Sequence, residues 1–211
     1  MEYLVIACVP LTSIVLFMIY LLVLVIVRKV FMSHEIPEKS EQINTLIVLG
    51  SGGHTSEMLR LVSALDSTKY TPQIYMVAET DTSSISKLEA MKIRGKIEVI
   101  PRSREVGQSW LSTILTTINA TLVCVKILWK YRPKLLLCNG PGTCVPPCLV
   151  AWIYNLLLLQ RTKIVFIESI CRIKTVSLTG KILCHIADTC LVQWPELKAE
   201  DNRFTYIARF T

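Results

Sequence analysis

The chain has 211 residues, room for one domain of ordinary size and not comfortably two. Its 52% hydrophobic share lies slightly above the globular norm and its 18% charged share below it, which points to apolar surface facing lipid or a partner. The net charge of +7 comes from scattered Lys and Arg, with no basic block and no interleaved aromatics; this argues against a nucleic-acid groove and for anionic phosphates, as ligands or lipid headgroups.

Tyr3 to Val27 carries no charge and, at about 1.5 Å per helical residue, exceeds a ~30 Å hydrocarbon core. Residues 3–27 therefore read as one transmembrane helix. A cleaved signal peptide fits less well: Glu2 stands where a basic segment belongs, the run is too long, and no small-residue cleavage site follows. Arg28 and Lys29 follow directly, so the positive-inside rule puts a short amino terminus in the lumen and the rest of the chain in the cytosol. Asn119-Ala-Thr121 is a sequon that a cytosolic domain would keep unmodified. Residues 28–42 are polar, contain Pro37 and read as a juxtamembrane linker, with His34 in solvent. The eight cysteines include no C-x-x-C pair, and the three histidines add no zinc-type spacing; they read as free, mostly buried thiols in a reducing compartment, with no metal site.

From residue 43 short apolar runs alternate with helical patterns. Strands are expected at 43–49, 72–78, 96–100, 133–139, 163–169, 189–194 and 204–208, and helices at 54–65, 83–91, 109–130, 146–160 and 177–187. Such alternation means βαβ units: an α/β, Rossmann-like parallel sheet over residues 43–211, with its ligand crevice at the strands' carboxyl ends. Two uncharged stretches, 106–125 and 135–160, compete as further membrane spans. The first has one apolar stripe (111, 114, 115, 118, 122, 125, 129) opposite a hydroxyl-rich face and reads as an amphipathic helix. The second is interrupted by "NGPG" and Pro146-Pro147, whose backbone lipid would leave unsatisfied; its remainder is a covered helix or one dipping into the membrane surface.

"GSGGHT" (50–55) follows the first strand and opens a helix. Gly50, Gly52 and Gly53 permit a sharp turn and close backbone approach, and the helix's free N–H groups then face an anion such as a diphosphate. A Walker loop is excluded, because Thr55 occupies the place of its second glycine and no lysine follows. The dinucleotide fingerprint also fails at Thr55, although Glu79 or Asp81 could mimic its ribose-binding acid, so a membrane-tethered nucleotide-dependent oxidoreductase stays as an alternative. His54 at a helix amino terminus is biased towards neutral imidazole and suits a general base or a phosphate donor; a packing histidine is the plain alternative. Glu168 ends the fifth strand and is the alternative base, unless it merely pairs with Arg172. Arg102 and Arg104 follow the third strand and are suited to diphosphate oxygens, headgroups or a partner. His185, on an apolar helix, reads as a core residue.

The stretches 50–61, 100–110, 137–146, 168–172, 177–183 and 192–198, which span nearly all of the cytosolic part, together resemble GT-B glycosyltransferases that use lipid-diphosphate acceptors. The likeness is greatest to the membrane subunit family of the two-subunit UDP-N-acetylglucosamine transferase of asparagine-linked glycosylation. The resemblance implies that the complex adds a second GlcNAc, β1,4-linked, to GlcNAc-diphosphodolichol on the cytosolic face of the endoplasmic reticulum, from UDP-GlcNAc and without a metal or other cofactor. This chain would be the acceptor-side half. Its partners would be a soluble sugar-nucleotide-binding subunit, the dolichol-linked acceptor and the ER membrane, with other early dolichol-pathway glycosyltransferases as further candidates. Gly50, Ser51, Gly52, Gly53, Thr55, Arg102 and Arg104 would then hold the acceptor diphosphate, and Asn139, Gly140, Gly142 and Thr143 the acceptor sugar or the cleft wall.

One Rossmann-like domain is half of a GT-B enzyme, so the other half is expected in trans. The last strand offers an apolar edge, and Phe204, Tyr206, Ile207, Arg209 and Phe210 are the expected partner contacts. A pure anchor without site residues is disfavoured, because glycines and polar residues gather at strand carboxyl ends, where a scaffold has no use for them.

Overall fold

A computed structural model describes residues 15–20, 22, 23, 26, 42–104 and 107–208. Of the expected membrane helix, the described residues 15–20, 22, 23 and 26 are helical with exposed apolar side chains. The 28–42 linker (residue 42 apart), His34, Cys8, Arg209 and Phe210 lie outside the described residues.

The remainder is one parallel sheet with helices between its strands: β1 Thr45–Val48, α1 Gly53–Ser63, β2 Gln73–Ala78, α2 Thr82–Ala90, β3 Lys96–Ile100, α3 Trp110–Tyr131, β4 Leu135–Asn139, a 3-10 turn Gly142–Cys144, α4 Val145–Leu156, β5 Lys163–Ile167, α5 Leu178–Leu183, β6 Thr189–Val192, α6 Pro195–Glu200 and β7 Phe204–Tyr206. The strand order β3-β2-β1-β4-β5-β6-β7 reverses direction between β1 and β4. These two strands pair in parallel from Thr45↔Leu135 to Val48↔Cys138, so the loops leaving both emerge side by side at the switch point.

β1 and β4 are apolar almost throughout because helices cover both faces of the sheet. One face builds a core from Leu46, Met76, Leu128, Leu136, Phe166 and Cys190, the other from Ile47, Met58, Leu59, Tyr75 and Leu137. Among the described residues the cysteines are free, and all but the exposed Cys171 are buried. Burial pushes the thiols of Cys124 and Cys190 up to about 12.

Three expectations are revised or resolved by the fold. The α3 helix is amphipathic, and the fold decides which side the sheet takes. Cys124 and Leu128 join the core on the sheet, Ala120 is buried, and the hydroxyls of Thr116 and Thr117 donate to the Ser103 carbonyl at 2.7 and 3.3 Å. The apolar stripe faces outward, with Leu115 70%, Leu122 60% and Trp129 51% exposed. Ser112–Tyr131 is long and apolar enough to cross a bilayer, yet it links two strands of one parallel sheet and is a crossover helix. The α4 helix is covered, with Cys148, Val150, Ala151, Tyr154 and Leu156 buried, and only the turn Leu157–Leu159 after it is exposed. A short helix, α6, begins at Pro195 and was not expected.

Candidate functional site

The glycine loop and the "NGPG" loop meet at the switch point. Gly52 is the N-cap of α1 with φ +68°, a left-handed conformation that favours glycine, and no side chain caps the helix's first N–H groups. Gly50 and Gly140 sit so close to neighbours that no side chain fits: a Cβ on Gly50 would lie 2.5 Å from Pro141 Cδ, and one on Gly140 (φ +85°) would lie 2.1 Å from His54 Nδ1. At Gly52, Gly53 and Gly142, an added Cβ meets nothing within 4 Å. Glycines thus form the wall behind His54 and also leave the mouth of the crevice open.

His54 is half-buried, and its Nδ1 stands 2.9 Å from Asn139 Oδ1. The Asn139 Nδ2 donates to Glu57 Oε2 at 3.0 Å, and Ser169 Oγ donates to Glu57 Oε1 at 2.8 Å. A chain of polar contacts therefore links α1, the end of β4 and the loop after β5. Glu57, Asn139, Ile167, Ile170 and Gln193 line a small recess beside it. Asn139 itself is buried, spending its amide inside the protein rather than presenting it to the crevice.

On the other side of the loop, Asp81 caps α2 through Ser84. Burial works against its charge, but hydrogen bonds from Ser84, Ser83 and Ser51 hold its carboxyl below the usual range. One of the two acids that could have mimicked a ribose ligand is therefore engaged inside the fold, while the other, Glu79, is exposed. Thr55 is fully buried, donating to the Gly50 carbonyl and meeting Ser84 Oγ, so its hydroxyl braces the loop from behind. Lys87, reaching across from α2, places Nζ 2.8 Å from the Gly52 carbonyl and 2.9 Å from Ser56 Oγ, which brings a positive charge to the glycine loop. Arg102 donates to Thr80 Oγ1 at 3.1 Å on the same rim, and Arg104 is exposed.

Glu168 is placed differently from a free base. It is 1% exposed; Oε1 accepts from Ser169 N at 3.1 Å and Oε2 from Ser177 N and Oγ, both at 2.9 Å. It ties the β5 end to the start of α5, where Gly180 has no room for a side chain against it, while Arg172 is exposed. Thr143 is likewise buried. His185 is exposed beside Arg203, 2.9 Å from Nη1, because it lies past the end of α5 rather than on its inner face. Phe204 belongs to the core, whereas Tyr206 is 46% exposed on the outermost strand.

Glu57, Lys87 and Ser169 were not singled out from the sequence. The only local signal was their polarity on helices or strand ends flanking the loop.

Residues 45–210 match the family model described as "Oligosaccharide biosynthesis protein Alg14 like". The chain is 42% identical over 203 residues to the UDP-N-acetylglucosamine transferase subunit ALG14 of Rattus norvegicus, covering 90% of this chain and 93% of that one. It is 40% identical to the subunit of the same name from Schizosaccharomyces pombe, over 89% and 91% of the two chains. Among solved structures, MurG of Acinetobacter baumannii superposes with a TM-score of 0.59 at 12% identity, over 78% of this chain and 45% of that one. A UDP-GlcNAc 2-epimerase from Neisseria meningitidis does so with 0.58 at 14%, over 80% and 47%. These likenesses are of fold, and this chain spans about half of each. With the family model matching nearly the whole sheet domain and relatives near 40% identity covered almost end to end, the chain belongs to the Alg14 family of oligosaccharide biosynthesis proteins.

Proposed function

We propose that this chain is the membrane-anchoring, acceptor-side subunit of a UDP-GlcNAc transferase that adds the second, β1,4-linked GlcNAc to GlcNAc-diphosphodolichol at the cytosolic face of the ER. The observation that carries the reading is the meeting of an uncapped helix amino terminus with a half-buried histidine at the switch point of the sheet. The first-turn N–H groups of α1, with Lys87, Arg102 and Arg104 on the rim, suit a diphosphate. His54 Nε2 accepts the proton of the acceptor 4-hydroxyl while its oxygen attacks the sugar anomeric carbon; the bond from that carbon to the UDP oxygen breaks, and UDP leaves with the electron pair.

The sugar nucleotide comes from a second, soluble subunit. Relatives that this chain covers almost completely are named subunits, and the superposed part of this chain covers only about half of the solved neighbours. The outer edge of β7 with Tyr206 is the proposed contact. Apposition to the membrane beyond the amino-terminal helix is supported by the α3 stripe and by Arg132, whose guanidinium sits 4.8 Å from the ring of Trp129.

The test is a transfer assay with membranes holding both subunits and a lipid-linked GlcNAc acceptor. His54→Ala should lower turnover on the order of a hundredfold while the partner still co-purifies. Near-normal turnover would remove His54 from the reaction. Tyr206→Asp should release the soluble subunit from membranes. A shift in mobility at Asn119 after endoglycosidase treatment would reverse the proposed orientation.

A further inference from the structure

We infer that Glu57 and Asn139 are positioning residues that fix the tautomer of His54; this rests on His54 being the base proposed above. The argument is one of donors and acceptors. An ionised carboxylate only accepts, so the Asn139 atom 3.0 Å from Glu57 Oε2 must be its NH2 group. The opposite atom, 2.9 Å from His54 Nδ1, is then the amide oxygen, which also only accepts. Nδ1 must therefore carry the proton, and in the neutral ring Nε2 is left with a lone pair. Among the described residues Nε2 has no hydrogen-bond partner. This is the tautomer a base at Nε2 requires.

The first member of the relay is itself held. Ser169 Oγ binds Glu57 Oε1 at 2.8 Å and the Ile170 N–H approaches Oε2 at 3.4 Å, so the carboxylate is pinned by the loop after β5. Asn139 is 2% exposed at the end of β4, and Gly140 backs the imidazole so closely that the ring has no room to move that way. Glu57 touches neither ring nor crevice mouth; it acts through the amide. Without it, Asn139 is free to rotate by half a turn and offer NH2 to Nδ1, which forces the proton onto Nε2 and removes the base.

The test uses the two-subunit complex in membranes with UDP-GlcNAc and lipid-linked GlcNAc. Glu57→Leu should reduce kcat on the order of a hundredfold with the KM for UDP-GlcNAc little changed. It should add no further loss in a His54→Ala background. The paired swap Glu57→Gln with Asn139→Asp reverses donor and acceptor at the first link yet still presents an acceptor to Nδ1, so it should recover turnover to within about tenfold of the native complex. Full activity in Glu57→Leu, multiplicative losses with His54→Ala, or a paired swap as poor as Glu57→Leu would each overturn the relay. If His54→Ala alone turns over normally, the base assignment fails first; if it is inactive and Glu57→Leu is not, only the relay fails.

Discussion

The crevice holds two kinds of glycine, and the contrast separates what the fold requires from what it does not. Gly50 and Gly140 are demanded by the protein: a side chain on either would collide with Pro141 or with the imidazole of His54. Gly53 and Gly142 have neither a positive φ nor a neighbour within 4 Å of where a Cβ would stand, so folding alone gives no reason for them. Gly52 lies between, spatially open but held at φ +68°. A glycine that its own chain does not need, at a helix amino terminus, is best explained by close approach of something else.

Substitutions sharpen or dissolve this contrast. Gly140→Ala has the largest expected effect. Strain at φ +85° and the clash with His54 should cost at least about 3 kcal/mol and abolish transfer, read as a lowered melting temperature of the purified complex together with an assay. Gly53→Ala should do the opposite to stability, leaving it unchanged or raised by about 0.4–1 kcal/mol, while transfer falls about tenfold or more. Unimpaired transfer there would make the two classes of glycine equivalent. Lys87→Met, which takes the charge from the open side of the loop, should raise the KM for the lipid acceptor roughly several-fold without altering the melt. Asp81→Asn keeps the cap and should cost well under about 1 kcal/mol at pH 7. Since the Asp81 carboxyl is held below its ordinary 3.8, its contribution is present above about pH 4 and fades as pH falls through the folded value, so the variant's stability should decline less steeply on acidification, as followed by circular dichroism.

The strands and the switch-point loops were legible because apolar runs and glycines are local signals. The polar relay was not. Asn139 and Glu57 are 82 positions apart, and Ser169 and Glu57 are 112 apart, so only the packing of α1 across β4 and β5 joins them. Glu168 drew notice by ending a strand, but its oxygens serve Ser177 and the backbone, which no pattern around it announces. Periodicity located the apolar stripe of α3 without saying which side the sheet would take. The buried side is taken by smaller residues, Ala120 and Cys124.

The turned-out stripe of α3 also sets a direction. β3 and β4 run the same way, so the helix joining them must return along the sheet antiparallel to both. Its 22 residues give an axis of roughly 33 Å. A stripe laid along a leaflet brings the helix axis, and with it the strand axes, into the plane of the bilayer. The carboxyl ends of the strands then look sideways over the headgroups rather than up into the cytosol. Ser109, the first cap of α3, marks that leading edge, and Lys126 and Lys130 trail at the other end. A lipid whose diphosphate rides at headgroup height would enter such a crevice by lateral diffusion alone, without being lifted from its leaflet.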